Sequence, residues 1–152
     1  MIEAIDHINI VVRDLGRMTS FYRDVLGMEV TKTATISGDW VDHVVGLKGV
    51  SAVVVYLELS GSTRLELIDY HSPDTIDSFN HDRPHAAGIR HLAFRVVDID
   101  AMKERLDRNG VKSFSDVVAA PRAQVQYSGG VCKRLIYFQD PEDNLLEFCE
   151  YN

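Results

Sequence analysis

Two histidines and two glutamates stand at matched places in the two halves of this 152-residue chain. His7 heads the run His7-Ile8-Asn9-Ile10-Val11-Val12, and His91 heads His91-Leu92-Ala93-Phe94-Arg95-Val96. Glu66, within Leu65-Glu66-Leu67, follows His7 by 59 residues, and Glu147, within Leu146-Glu147-Phe148, follows His91 by 56. Imidazole suits Zn, Ni, Co or Fe, while carboxylates add hard oxygen donors that also suit Mn and tolerate octahedral geometry with waters. Along a strand the side chains alternate faces. His7 and Asn9 therefore oppose Ile8 and Ile10, and Glu66 and Glu147 each oppose the bulky apolar residues beside them. If two modules pair so that their sheets form one trough, two imidazoles and two carboxylates converge on one divalent metal ion. A single strand-end His or half-exposed Glu is ordinary surface chemistry. Four at repeat-equivalent positions make a ligand set.

These residues need elements to position them, and the chain supplies the same series twice. Each His-headed run ends in an Asp, Asp14 or Asp98, and opens a helical pattern. In the first half, Met18, Phe21, Tyr22, Val25 and Leu26 repeat at helical spacing, which predicts a helix over Arg17 to Leu26 stopped by Gly27. In the second, Met102 and Leu106 predict a helix over Asp100 to Asn109 stopped by Gly110. Three strand-like runs follow each helix: Glu29 to Ile36, Ala52 to Leu59 and Thr63 to Tyr70, then Lys112 to Val118, Cys132 to Gln139 and Asn144 to Glu150. The fold class expected is α+β, with two paired βαβββ modules forming a curved mixed sheet around a metal-binding trough. The first module runs from about 4 to 70 and the second from about 88 to 151, within one domain. The segment of about 71 to 87, rich in Asp, His, Pro and Asn, reads as a solvated linker.

Composition narrows the function classes. The length suits one ordinary domain, and 45% hydrophobic with 26% charged residues is globular composition. A net charge of −7 makes nucleic acid or an anionic membrane a poor partner. The longest apolar runs, such as Val53 to Leu57, are too short to span a bilayer, and the N-terminus lacks a signal-peptide pattern. Cys132 and Cys149 form no C-x-x-C pair and read as buried inert thiols. A cytoplasmic protein is expected.

The chain resembles the vicinal oxygen chelate superfamily, which includes glyoxalase I, methylmalonyl-CoA epimerase, extradiol dioxygenases and fosfomycin and bleomycin resistance proteins. Four segments carry the resemblance: Asp6 to Asp14, Phe21 to Met28, Gly88 to Val96 and Asp140 to Phe148. It implies paired βαβββ modules enclosing a metal at His7, Glu66, His91 and Glu147. A Glu at position 66 resembles glyoxalase I and the epimerase, which carry Glu or Gln there, more than the dioxygenases. Two departures stand out. Epimerases of the family usually have a doubled His where this chain has Arg90-His91, and glyoxalase I usually has an arginine soon after the Gly27-Met28 position, where this chain has Glu29-Val30-Thr31.

The reading implied is a lyase or isomerase that chelates vicinal oxygens of a small carbonyl or acid substrate. Its metal would stabilise an enediolate or enolate, with Glu147 or Glu66 shuttling the proton as the catalytic residue. The alternatives are an Fe(II) extradiol-type dioxygenase using a facial triad, and a metal-free small-molecule-binding resistance protein. A homodimer is expected, because such modules leave sheet edges and an apolar face that association would cover.

Among the remaining candidates, His81-x-x-x-His85 reads as linker, since Asp82, Arg83 and Pro84 oppose a helix. His43 and His71 read as loop or strand-end residues. Asp39, Trp40, Asp42 and His43 fall in a connection that offers one possible pocket residue. Ser128-Gly129-Gly130 reads as a mobile flap, with Arg122, Lys133 and Arg134 nearby as bases for an anionic substrate group.

Overall fold

A computed structural model describes every residue except Ser62 and Gln126. The chain divides into two compact units, 1–77 and 78–152. Each unit carries its own four-stranded sheet, and the two sheets have the same strand order.

In the first unit, β1 (His7–Val11), α1 (Leu15–Ser20), β2 (Glu29–Ser37), α2 (Asp39–Val45), β3 (Ser51–Glu58) and β4 (Arg64–Ser72) follow one another. The sheet order is β1-β4-β3-β2, with β1 parallel to β4 and the other pairs antiparallel. This is the βαβββ pattern read from the sequence: the helix returns the chain so that the last strand lies parallel beside the first. Asp14 caps α1 by accepting from the Arg17 N–H at 2.9 Å. The helical stretch then loosens into a π turn over Phe21–Val25, and Gly27, at a φ of 79°, ends it. Met18 and Tyr22 from this stretch are fully buried, as are Leu57 and Leu67 of the strands. Each such side chain taken out of water contributes about 1.5–3 kcal/mol before entropy is counted. The opposite face of β3 and β4 is also apolar along part of its length. Ala52, Val54 and Ile68 pack there with Ile36, Tyr56 and Tyr70.

The second unit repeats the plan with β5 (His91–Arg95), α3 (Ile99–Arg108), β6 (Val118–Ala119), β7 (Lys133–Gln139) and β8 (Leu145–Tyr151), in the order β5-β8-β7-β6. Asp98 caps α3 by accepting from the Ala101 N–H at 2.9 Å, and Gly110, at a φ of 67°, lies just beyond its end. The core here is built from Ile99, Leu106, Ile136, Phe138, Leu146 and Phe148, with Phe138 and Phe148 at a centroid distance of 4.5 Å. Glu150 is also buried on this side. It accepts from the Ile99 N–H at 3.1 Å and lies 3.2 Å from Arg134, so a carboxylate faces the start of α3, where the helix dipole favours negative charge.

Three elements differ from the sequence reading. The run Lys112 to Val118 forms only an isolated bridge at Ser113 and the two-residue β6, because its polar stretch Ser113-Phe114-Ser115-Asp116 offers little to a buried ladder. The connection holding Trp40 and Asp42 is the short helix α2, closed by Gly46 at a φ of 70°. The Asp42 carboxylate then ties down the turn that follows, accepting from the Gly49 and Val50 N–H groups at 2.7 and 2.8 Å. β4 runs through Ser72, two residues past the expected end at Tyr70. No helix among the described residues is long and apolar enough to cross a membrane.

Candidate metal centre

The register of each sheet brings one His and one Glu onto the same face. In the first unit Asn9 is aligned with Glu66 on β4, so His7, two residues earlier on β1, lies diagonal to that carboxylate. In the second unit Ala93 is aligned with Glu147 on β8, and His91 holds the same diagonal. The contacts match: His7 Nε2 is 3.3 Å from Glu66 Oε2, and His91 Nε2 is 3.2 Å from Glu147 Oε2. Each unit thus supplies one imidazole–carboxylate pair. No group of three or more His, Cys, Asp or Glu side chains that would hold a metal ion is found among the described residues.

A tyrosine that sequence reasoning missed joins each pair. Tyr56 of β3 is aligned with Glu66, and Tyr137 of β7 with Glu147. Tyr56 donates from its hydroxyl to Glu66 Oε1 at 2.6 Å, and this bond, with burial, raises the Tyr56 pKa. The Tyr137 hydroxyl lies 3.4 Å from His91 Nδ1; burial and the charge of Glu147 raise its pKa. The signal was present: Val55-Tyr56-Leu57 and Ile136-Tyr137-Phe138 each place a Tyr between apolar residues at the same point of the repeat.

The two glutamates are held differently. Glu66 receives hydrogen bonds on both oxygens, from Tyr56 at Oε1 and from the Asn9 amide at Oε2, 2.9 Å away, and its side chain is 14% exposed. The Glu147 side chain is 3% exposed. Lys133 Nζ makes an ion pair with its Oε1 at 2.5 Å. Burial lowers the Lys133 pKa, but the pull of Glu147 outweighs it and the net shift is upward. Lys133, expected near a flap, therefore faces the candidate centre.

Each pair on its own carries donor chemistry that suits a divalent metal. His7 Nδ1 is 2.8 Å from Asp6 Oδ2, and Arg64 Nη2 holds the same carboxylate at 2.5 Å. The hydrogen bond from His7 and that from Arg64 keep the Asp6 pKa low. A carboxylate on Nδ1 fixes the imidazole tautomer with its Nε2 lone pair free, the usual orientation for a metal-ligating His. Both imidazoles remain open to solvent, at 40% and 36% side-chain exposure. Oε1 of Glu147 is buried and already has a cation beside it, the Lys133 ammonium at 2.5 Å.

Other candidates lie elsewhere. His81 and His85 sit in turns, where His85 joins Asn80, Arg83 and Ala86 around a surface concavity. His43 belongs to α2, and His71 lies near the end of β4. Ser128–Gly130 forms one 3₁₀ turn, and Arg134 pairs with Asp100 and Glu150. Cys132 and Cys149 are free thiols; Cys149 is buried, which raises its pKa.

Comparison with known proteins agrees with this architecture. Residues 4–148 match the family model described as the Glyoxalase/Bleomycin resistance protein/Dioxygenase superfamily. The chain is 33% identical to the uncharacterized protein YaeR of Escherichia coli (strain K12), over 98% of this chain and 97% of that protein. It is 31% identical to the mitochondrial methylmalonyl-CoA epimerase of Mus musculus, over 74% of this chain and 56% of the epimerase. A crystal structure of a glyoxalase family protein from Bacillus cereus superposes with a TM-score of 0.83 at 28% identity, covering 99% of this chain and 95% of that one.

Proposed function

The chain belongs to the Glyoxalase/Bleomycin resistance protein/Dioxygenase superfamily, and we propose that it is a divalent-metal-dependent isomerase, epimerase or lyase acting on a small carbonyl or acid substrate. One observation carries the reading: two His–Glu pairs at the same diagonal, with Nε2–Oε2 distances of 3.3 and 3.2 Å, one per repeat. Two imidazole nitrogens and two carboxylates are a donor set for a divalent cation. His7, Glu66, His91 and Glu147 are the proposed ligands. The likeness to methylmalonyl-CoA epimerase supports proton transfer as the reaction class.

When bound, a divalent metal would supply polarisation of adjacent substrate oxygens and stabilisation of the negative charge left by proton loss. The chain's own residues divide the remaining work. Glu66, held by Tyr56 and Asn9 with lone pairs to spare, stays in place as an oxygen donor. Glu147 is buried and paired with Lys133; exchanging that partner, it takes the proton from carbon and returns it as general base and then acid.

Metal analysis after loading, followed by solvent-deuterium exchange on 2-oxo and 2-hydroxy acids, tests the proposal. Metal retention by the wild type, loss of it in His91→Ala, and deuterium incorporation next to the carbonyl are expected. A protein that retains no metal, or a loaded protein that exchanges no proton on any such compound, would overturn it.

A further inference from the structure

The two faces that carry the His–Glu pairs place their cations differently. Counting from the shared tyrosine and histidine positions, Lys133 in the second unit corresponds to Ala52 in the first, Arg95 to Val11, and Tyr151 to Tyr70. At these positions the second face carries two cations where the first has apolar side chains; the first face's own cations, Lys32 and Arg64, flank Tyr56 instead, 5.8 and 5.6 Å from its centroid. Both cations of the second face flank one ring: the Arg95 guanidinium carbon is 5.3 Å and Lys133 Nζ 6.0 Å from the Tyr151 centroid. Lys133 is also drawn inward, with an 18% exposed side chain and its ammonium 2.5 Å from Glu147 Oε1.

That ion pair conflicts with metal binding. A buried carboxylate without a counter-ion is costly, and Lys133 supplies one. A dication on the same carboxylate would sit beside the ammonium, and like charges at such short range repel strongly away from bulk water. An incoming anion relieves the repulsion by giving Lys133 a new partner.

We propose that Lys133, assisted by Arg95, is the seat for a carboxylate of the substrate: it guards Glu147 in the metal-free protein and moves to the substrate once a divalent cation takes Glu147. The substrate class follows as an acid whose carboxylate lies next to the chelated oxygens. This inference rests on the metal reading above and adds the lysine's exchange of partners to it.

Mn²⁺ and oxalate, an anion with adjacent carboxylate oxygens, are suitable probes. Calorimetry on the full chain measures Mn²⁺ affinity first, and then oxalate affinity for the Mn²⁺-loaded protein. Lys133→Met, checked for folding by circular dichroism, is expected to bind Mn²⁺ about tenfold more tightly and oxalate about tenfold more weakly than the wild type. Lys133→Arg, which keeps the charge, is expected to retain oxalate binding. Mn²⁺ affinity unchanged by Lys133→Met, or undiminished oxalate affinity, would overturn the lysine's role while leaving the metal centre standing. Absence of Mn²⁺ binding in the wild type and Lys133→Met alike would overturn both. Mn²⁺ binding by Lys133→Met alone would support the guarding role directly.

Discussion

The Tyr56 hydroxyl donates to Glu66 Oε1 at 2.6 Å, across two strands whose residues stand opposite one another. Its counterpart, Tyr137, faces Glu147, but there an ammonium rather than a second neutral donor completes the surroundings. The two repeats have thus kept one geometry and diverged in electrostatics. Glu66 is held by two neutral donors, and Glu147 is paired with an ammonium.

Glu66→Gln should separate ligand from shuttle. The amide keeps an oxygen donor but loses the charge, so metal should still bind, more weakly. Glu147→Gln should reduce turnover beyond any metal loss, by ~10²–10⁴-fold, because an amide cannot accept the proton. Metal stoichiometry and turnover measured on one preparation check both. Unchanged values for Glu66→Gln would remove Glu66 from the ligand set.

Asp140 should prove structural. It is buried, and its Oδ1 accepts from the Glu142 and Asn144 N–H groups at 2.9 and 3.0 Å, while Oδ2 accepts from the Asn144 side chain at 2.9 Å. These bonds shape the β7–β8 turn, in which Asp143 adopts a φ of 65°. Asp140→Ala leaves the N–H groups without their acceptor and should cost about 1–3 kcal/mol in urea unfolding. A loss below the error of that measurement would refute the assignment.

His81 should make stability depend on pH. Its Nδ1 lies 2.9 Å from the Ser78 carbonyl and its Nε2 3.0 Å from the Glu142 carbonyl, and only the doubly protonated ring donates to both. These bonds, first that to Ser78, raise its pKa; Asp82 and Asp143 add to the effect and burial opposes it. A pKa raised by folding gives stabilisation that is complete below the ordinary value of 6.5 and is lost as the pH rises through the folded value. The thermal midpoint should fall across that window in the wild type, and the His81→Gln midpoint should fall less. Parallel curves would contradict the assignment.

A homodimer is expected at micromolar concentration. β2 is an edge strand with Val30 exposed, and α2 exposes Trp40 and Val44, surfaces that association can cover. Light scattering giving the 17.1 kDa mass of one chain would refute this.

Much of this arrangement was legible in the residues alone. The repeat, the capping Asp14 and Asp98, the stopping Gly27 and Gly110, and the faces of His7, Glu66, His91 and Glu147 all follow from local rules, because helix period, capping and strand alternation act over a few residues. Cross-strand partners obey no such local rule. Register joins residues far apart in sequence, and a slip of one position would turn each side chain to the other face. Tertiary pairing alone therefore decided that Tyr56 meets Glu66 and that Lys133 turns inward to Glu147. It also decided that Glu147 is buried while Glu66 is only partly covered: the strand order is the same in both sheets, but Lys133 lies against Glu147 where the first sheet has Ala52. How deeply each carboxylate is buried, and which partner it meets, is a property of that packing, not of the motif around it.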